Sequence, residues 1–431
     1  MNDFILPLSA PRATDPEIVG PKAANLALLG RAGLPTPGGF CLTAAAYRHQ
    51  IDALGLSDAL AQFSTADLRA ERKLSVEIRL GLYEHPIVPE IAEPLLAAWH
   101  GYREMAPGFW AVRSSALIED RAGANFAGQF ESFLGIASET EFLTAVRACW
   151  AALWTTNARR YMANHDLNPA ATAMSVLIQP LVAARASGGG LSMTAEGNML
   201  LSATWGLGSA IAQGEVVPDR IVLSRQGFVR KIDAGRKDHR DTCGHGGQNG
   251  NQVAPQAVPK DLAREPSLSH GEATALGRML RKCEDLMDMP VEIEWAADEA
   301  GFKLLQARPL HVQPIQVPDD IWLQHPKLNG HPAGIGWGSG RAVVINCECE
   351  LSRVGPGDVL VTRVAGPALS HILPQVAGVV AELGGSTSHL ASLARERGIP
   401  MVLGVLDATV TIPDGAQVAV DGVSGVVRWM A

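Results

Sequence analysis

Residues 384–400 read GGSTSHLASLARERGIP, and this stretch decides how the C-terminal part of the chain folds. Apolar side chains recur there at helical spacing, and Gly398 followed by Pro400 is typical of a helix end. The pattern therefore predicts one helix with His389 in its first turn. The positive end of the helix dipole and the unpaired backbone N–H groups of that turn favour a bound phosphoryl group.

His389 carries the first functional hypothesis. The helix dipole disfavours the imidazolium ion, so we expect the ring to stay neutral and nucleophilic near its reference pKa of about 6.5. Gly384 and Gly385 allow the backbone to approach a phosphoryl group closely. We interpret the segment as a nucleophile beside an anion-binding turn. The alternative is a histidine that merely starts a helix, since glycine pairs often precede helices.

Two predicted strands further upstream carry a second constellation of polar residues. Glu292 and Glu294 share one face of the first strand, because side chains alternate along a strand, and Gln306 and Arg308 share one face of the next. Carboxylate oxygens suit Mg²⁺, and a guanidinium suits a polyphosphate. The alternative is a solvated hairpin with alternating charges.

Two isolated cations are further candidates for binding a nucleotide. Lys22 lies at the head of a predicted helix that opens at Gly20, and Arg113 ends a predicted strand over residues 109–113. Gly128 lies in the loop that follows. The chain has no G-x-x-x-x-G-K-[ST] loop, which argues against a Walker-type ATP site. A nucleotide site would therefore be assembled from dispersed residues.

The sequence between His311 and Gln324 marks the best candidate for a domain boundary. It carries Pro314 and Pro318 and has neither a helical nor a strand period, as is typical of a linker. Beyond it the pattern changes to short strands around a single helix. We therefore predict a small C-terminal domain of mixed β/α order.

Two local features allow more than one interpretation. Residues 237–252 are rich in His, Asp and Gly without periodicity and predict a mobile loop, in which His239 and His245 either touch a substrate or are simply exposed. Cys347 and Cys349 form the one local cluster among six cysteines. They could hold a metal, but we favour a strand with both thiols on one face.

The composition excludes several classes of protein. Of the 431 residues, 47% are hydrophobic and 19% are charged, which is typical of a globular chain rather than a disordered one. The formal net charge of −8 argues against a broad surface for nucleic acid or an anionic membrane. The N-terminus has no signal-peptide pattern, and no run of about 18 apolar residues predicts a membrane span. We expect a reduced, cytoplasmic protein.

Four further segments, taken in order, carry a resemblance to a known family. They are GPKAANL at 20–26; AVRSSA at 111–116, with ED at 119–120 and FAGQ at 126–129; TWGLG at 204–208, with QGE at 213–215 and PD at 218–219; and EIEWA at 292–296, with LQARP at 305–309. With the histidine segment they make nearly the whole chain similar to the family of phosphoenolpyruvate synthase, pyruvate phosphate dikinase and rifampin phosphotransferase. The order of the segments is more specific than any one of them.

The resemblance implies a fold of the α+β or α/β class. It implies an ATP-grasp domain over residues 1–312, a linker over 313–326 and a swivelling β/β/α phosphohistidine domain over 327–431. ATP and Mg²⁺ are the implied cofactors. Pro21 and Ala23 replace glycines of the family pattern, which would stiffen the loop of Lys22, and Glu292 replaces an aspartate.

The same resemblance implies roles for individual residues. His389 would be the phosphorylated residue, with Lys22 and Arg113 as catalytic cations. The implied nucleotide-binding residues are Lys22, Arg113, Gly128, Ser132, Gln179, Gln306 and Arg308. The implied metal ligands are Glu294, Glu292 and Gln306.

The implied activity is that of a dikinase-type phosphotransferase. ATP would phosphorylate His389 with release of AMP and phosphate, and the phosphate would pass to an acceptor. The family's acceptor domains are not found in the sequence, so we expect a separate acceptor-binding subunit, with a phenolic compound as one candidate acceptor. Three alternatives stay open: a stand-alone small-molecule phosphotransferase with the acceptor in the interdomain cleft, a non-enzymatic phosphocarrier or sensor, and a silent ATP-binding protein.

Overall fold

The computed structural model of the chain describes residues 3–119, 126, 130, 132–243, 253–310 and 320–430. These residues form two compact units. The first comprises the described residues of 1–182, 243–254 and 303–308, and the second those of 183–242, 255–302 and 309–431. The chain passes between the units more than once, because residues 243–254 and 303–308 return to the first.

The first unit is built on a five-stranded antiparallel sheet. Its strands are β1 (Ile5–Pro7), β2 (Phe40–Leu42), β3 (Trp110–Ala116), β4 (Ser132–Ile136) and β5 (Met174–Pro180). Its helices are α1 (Pro16–Arg31), α2 (Ala44–Ala53), α3 (Ser57–Phe63), α4 (Leu68–Glu84), α5 (Pro89–Met105), α6 (Glu139–Ala152) and α7 (Thr156–Ala163). The strands lie in the order β1, β2, β5, β3, β4. Strand β3 ends at Ala116, three residues beyond the predicted end at Arg113.

Helix α1 begins earlier than the sequence predicts. Pro16 occupies its first turn, and the Asp15 carboxylate caps it by accepting a hydrogen bond from Glu17 N at 2.9 Å. The predicted start at Gly20 is instead a kink, with a φ of 75°. A β-carbon on Gly20 would lie 2.3 Å from the Ser115 hydroxyl, so only glycine allows this close approach to β3.

The second antiparallel sheet lies in the middle of the chain. The elements there are β6 (Ala186–Leu191), β7 (Met199–Trp205), α8 (Ser209–Ala212), β8 (Asp219–Leu223), β9 (Val229–Asp233), β10 (His239–Cys243), β11 (Val253–Ala257), α9 (His270–Met287), β12 (Val291–Asp298) and β13 (Gly301–Pro309). Strands β12, β6, β7, β8 and β9 lie side by side in that order, all antiparallel. The Trp295 indole donates to the Gly189 carbonyl at 3.1 Å and ties β12 to β6.

An eight-stranded sheet forms the C-terminal part of the second unit. Its elements are β14 (Lys327–Asn329), β15 (His331–Pro332), β16 (Trp337–Ile345), β17 (Val359–Thr362), β18 (Gly378–Ala381), α10 (His389–Glu396), β19 (Met401–Leu403), α11 (Ala408–Thr411), β20 (Gln417–Asp421) and β21 (Val426–Met430). The strand order is β14, β21, β20, β16, β17, β18, β19, β15. The four strands β16 to β19 are parallel neighbours with valine-rich, buried sequences, as expected of parallel strands covered on both faces.

The prediction of a mobile loop at residues 237–252 is wrong for those of its residues that the structure describes. Residues 239–243 form strand β10, and Lys237 is completely buried in an ion pair with Asp219. The Asp219 carboxylate also accepts hydrogen bonds from Gly235 N at 2.8 Å and from Ser267 N and Oγ at 2.7 Å each. The polar groups of this region are therefore buried and paired by hydrogen bonds and an ion pair. His245 lies outside the described residues.

The prediction for the cysteine pair is also wrong. Cys347 and Cys349 are joined by a disulfide and do not stand as free thiols on one strand face. Cys347 lies beyond the end of β16 and directly precedes a short 3₁₀ helix, Glu348–Arg353, so the chain turns there instead of continuing as a strand. A second 3₁₀ helix, Asp320–Gln324, forms the described part of the predicted linker. Among the helices that the structure describes, none combines the length and apolar character that a membrane crossing requires.

His331 in β15 makes the stability of the second unit depend on pH. Burial, with a smaller contribution from Arg220, lowers the pKa of His331 to about 4, against the opposing effect of Asp233 and Asp219. The unfolded chain binds the proton more readily, so stability is full above pH 6.5 and is lost as the pH falls towards 4. We expect His331→Gln to remove part of this loss, at most about 2 kcal/mol between pH 7 and 5. Urea unfolding at both pH values measures it; equal losses in both proteins would contradict the assignment.

Candidate functional site

Lys22 reaches strand β3 of the first unit from the first half of α1, two residues after the kink at Gly20. Its Nζ donates to the Ser114 carbonyl on β3 at 2.5 Å and lies 3.3 Å from a carboxylate oxygen of Glu119. The Lys22 side chain is only 11% exposed. The Glu119 carboxylate is itself fixed by Ala116 N, which donates to it at 3.0 Å. The cation is therefore held in place at the end of β3.

Arg113 links β3 to the residues predicted to bind the nucleotide on β13. Its guanidinium donates to the Leu305 carbonyl at 2.9 Å and to the Gln306 side-chain oxygen at 3.0 Å. Gln306 and Arg308 are two residues apart in β13 and therefore point to the same face, and each residue is 8% exposed. The structure thus brings Arg113 and Gln306 into direct contact within the first unit.

Two more predicted residues share the sheet face of Arg113. Ser132 pairs directly with Arg113 across β3 and β4, and Gln179 pairs with Ala111 across β3 and β5. Residues paired across antiparallel strands point to the same side of the sheet, so Arg113, Ser132 and Gln179 face one way. The Gln179 amide donates to the Gly38 carbonyl at 3.2 Å. Gly128 lies outside the described residues.

Glu292 in the second unit forms a buried ion pair with Arg395. Both of its carboxylate oxygens lie 3.1 Å from Nη2 of Arg395 in α10, and the Ser392 hydroxyl lies 3.3 Å from one of them. The side chains of Arg395 and Glu292 are 8% and 7% exposed. The second Arg395 nitrogen donates to backbone carbonyls, one of them that of Ala333 at 3.2 Å. This buried ion pair fixes α10 on β12.

The loop before α10 lies on the same sheet face as the two glutamates. Glu294 pairs with Gly189 across β12 and β6. A β-carbon on Gly189 would lie 2.6 Å from Cβ of Thr387, so the glycine leaves room for this loop residue. Paired residues point to one side of a sheet, which places Thr387 on the face of Glu292 and Glu294.

His389 is the first residue of α10, as the sequence predicts. The Ser388 hydroxyl caps the helix by accepting a hydrogen bond from Ala391 N at 3.2 Å, and the His389 residue is half-buried. The Thr387 hydroxyl is buried and makes no hydrogen bond to any described residue. A buried hydroxyl without a partner costs free energy, which a phosphoryl oxygen at this turn would recover.

The chemistry of the donors fits Mg²⁺. Glu294 is half-buried on β12, two residues from Glu292, and both present hard oxygen ligands. No cluster of three or more His, Cys, Asp or Glu side chains able to hold a metal occurs within the described ranges. Mg²⁺ is commonly held by one or two carboxylates together with substrate phosphates, so two glutamates suffice. The assignment of Glu292, Glu294 and Gln306 as ligands stays a prediction.

Sequence reasoning missed three residues that hold these groups in place. Arg395 and Ser392 hold Glu292, and Glu119 holds Lys22. A signal existed for the first two, because they are three residues apart on the helix of His389 and share its polar face. Glu119 belongs to the ED pair quoted above, but its partner lies 97 residues away in sequence and no local pattern reveals it.

Two families describe most of the chain. Residues 16–323 match the family described as "Pyruvate phosphate dikinase, AMP/ATP-binding domain". Residues 354–425 match the one described as "PEP-utilising enzyme, mobile domain". The fold prediction is confirmed: an ATP-grasp domain is followed by a phosphohistidine domain, in a chain of mixed α and β structure.

Curated relatives are similar along nearly the whole chain. A probable phosphoenolpyruvate synthase of Methanothermobacter thermautotrophicus is 31% identical over 96% of this chain and 61% of its own length. The phosphoenolpyruvate synthase of Aeropyrum pernix is 32% identical over 95% of this chain and 56% of its own. That of Escherichia coli is 30% identical over 95% and 55%. The chain thus spans little more than half the length of these relatives.

Proposed function

We propose, from the premise that this chain belongs to the pyruvate phosphate dikinase and phosphoenolpyruvate synthase family, that it transfers phosphate from ATP to His389. The observation that supports the proposal is the position of the His389 turn. Its Thr387 packs over Gly189, the strand partner of Glu294, and its helix is pinned to Glu292 through Arg395. The turn that carries His389 therefore lies on the sheet face of the two carboxylates.

In the proposed reaction the His389 imidazole attacks the β-phosphorus of ATP, and AMP leaves. The bond from nitrogen to phosphorus forms as the bond from the β-phosphorus to the AMP oxygen breaks. Water then attacks the γ-phosphorus, the bond from that phosphorus to the oxygen it shares with the β-phosphorus breaks, and inorganic phosphate leaves while one phosphoryl group stays on His389. The phosphoryl oxygens would be received by the backbone N–H groups at the start of α10 and by the Thr387 hydroxyl.

The cations of the first unit are assigned to the nucleotide in this proposal. Lys22 and Arg113 are held by fixed partners, so they would meet the phosphates without a large loss of side-chain entropy. Arg308, with Gln179 and Ser132 on the sheet face of Arg113, would complete the nucleotide contacts. Glu294, Glu292 and Gln306 would hold Mg²⁺, which when bound neutralises charge on the phosphates.

The onward step passes the phosphate from His389 to an acceptor. A separate subunit that presents a phenolic compound remains a proposal that rests on the sequence resemblance alone. Its test is reconstitution: a purified partner subunit should restore transfer that the chain lacks by itself. Transfer by the chain with no partner would remove the need for that subunit.

The experiment that tests the proposal uses the purified chain with Mg²⁺ and ATP labelled at the β- or the γ-phosphate. We expect acid-labile protein label from β-labelled ATP only, together with release of AMP, because phosphohistidine is a phosphoramidate. Label from the γ-position with release of ADP would contradict the dikinase route. No label in a chain that binds ATP would contradict autonomous phosphorylation.

A further inference from the structure

An open cavity of about 710 Å³ is lined by residues of the second unit. Its walls come from two places. One set of lining residues lies at or beyond the ends of strands of the eight-stranded sheet, among them Arg363 and Leu383, and the other set includes Glu215 and His239. A volume of this size is typical of a site for a small organic ligand.

The cavity lies at the carboxyl ends of three parallel strands. Residue 346, just beyond β16, residue 363, just beyond β17, and residue 383, just beyond β18, all line it. Strands β16, β17 and β18 are adjacent and parallel, so these ends meet at one edge of the sheet. This edge is where open α/β sheets bind their ligands.

The loop that leads to His389 lines the cavity. Helix α10 follows β18 through the loop at residues 382–388, and Leu383 in that loop is one of the lining residues. His389 therefore follows the cavity wall by six residues along the chain.

The cavity holds one acid–base pair. Nε2 of His239 lies 3.3 Å from a carboxylate oxygen of Glu215, and the two side chains are 31% and 43% exposed. A neutral histidine oriented by a carboxylate can take a proton from a hydroxyl group, and the carboxylate then stabilises the imidazolium. The pair is not used in phosphorylation of His389 as proposed above.

The remaining lining indicates the class of ligand. Leu369, Leu383 and Val364 give apolar surface, and the charges of Arg363 and Glu348 have opposite sign. An apolar body without net charge suits such a lining, because an unpaired ionic group would lose its hydration there. A hydroxyl group on that body would donate a hydrogen bond to His239 of the His239–Glu215 pair.

We infer that this cavity binds the phosphate acceptor, an uncharged organic hydroxy compound with an apolar body. The inference rests on the proposed phosphorylation of His389, names the substrate class of the second step, and places the acceptor on this chain in place of a separate subunit. The acceptor oxygen forms a bond to the phosphorus as the bond from phosphorus to the His389 nitrogen breaks. The hydroxyl proton goes to His239, and the bonding pair returns to the imidazole nitrogen of His389.

The test uses protein charged with β-labelled ATP, freed of nucleotide and mixed with 2-naphthol, phenol or cyclohexanol. We expect at least one of them to remove the label and appear as its phosphate ester, with 2-naphthol the best because it buries the most apolar area. 2-Methoxynaphthalene, which has no hydroxyl group, should leave the label in place. Labelled protein that none of the three alcohols discharges would overturn the inference and leave phosphorylation of His389 intact.

Two variants separate this site from a merely structural one. His239→Gln should take up label normally but discharge it about 10²-fold more slowly, because the base that accepts the hydroxyl proton is lost. Val364→Trp fills the cavity from a side chain that is 39% exposed, and should raise KM far more than it lowers kcat. His100→Gln, on the surface of the first unit, is the matched control and should change nothing. Discharge at the wild-type rate and KM in both variants would overturn the inference.

A binding measurement keeps the test independent of phosphorylation. Equilibrium dialysis of 2-naphthol against the unlabelled chain should show binding that Val364→Trp weakens at least tenfold. If the chain takes up no label but still binds 2-naphthol in this way, the proposed function fails and the cavity stands as a ligand site. If 2-naphthol does not bind, or binds both proteins equally, the cavity assignment fails.

Discussion

The variant His389→Asn is expected to retain no acid-labile label from β-labelled ATP while still binding the nucleotide. Asparagine keeps a polar side chain at the start of α10 but has no nucleophilic nitrogen, so the phosphoramidate cannot form. The Ser388 cap and the Arg395–Glu292 contact do not involve the His389 ring, so the fold should be preserved. Label retention after filtration measures the first expectation, and calorimetric titration with ATP measures the second.

His371→Asn is the matched control for this experiment. His371 ends a short 3₁₀ helix, Pro367–His371, in the same part of the chain and is exposed. The control should take up label like the wild type. Acid-labile label in His389→Asn, or its equal loss in His371→Asn, would contradict the role of His389 as the phosphorylated residue.

Lys237→Met is expected to destabilise the second unit by about 3–5 kcal/mol, because it leaves a buried carboxylate without its counter-ion. Lys237 and Asp219 both have no exposed side-chain surface. The three remaining donors, from Gly235 and Ser267, stay in place but carry no net charge. Urea unfolding followed by tryptophan fluorescence measures the change in the free energy of unfolding.

Lys231→Met provides the comparison for an exposed pair. Lys231 lies 2.8 Å from Asp233, but its side chain is 64% exposed, so its loss should cost less than about 1 kcal/mol. Adding Asp219→Asn to Lys237→Met should recover part of the loss, because the buried charge is then removed. Equal, small effects of the two lysine substitutions would show that the buried pair does not contribute as expected.

Local sequence patterns predicted the helix whose ends are set by capping residues and the strand whose side chains alternate. The predicted helix with His389 in its first turn agrees with α10, because Ser388 caps one end and Gly398 follows the other. The alternation of Glu292 and Glu294 on one strand face is likewise confirmed by β12. These features depend on neighbours a few residues apart, which a single sequence displays.

Contacts between distant residues could not be predicted. Residues 237–252 look like a loop because they are polar, yet Lys237 forms an ion pair with Asp219 in strand β8. Arg113 and Gln306 are 193 residues apart, and Arg395 and Glu292 are 103 apart. Only the order of family segments linked such residues beforehand, and it identified Arg113, Gln306 and Glu292 without identifying Arg395.

The ion pair between Glu292 and Arg395 has a consequence for how a metal and the histidine helix influence each other. A carboxylate whose two oxygens both contact a guanidinium binds a divalent cation less tightly, because the two positive charges repel each other. If Glu292 also serves as a metal ligand, each Mg²⁺ that it binds weakens the hold on α10, and each docking of α10 lowers the affinity for Mg²⁺ by the same factor. Metal occupancy and release of the His389 helix would then be thermodynamically linked through one side chain.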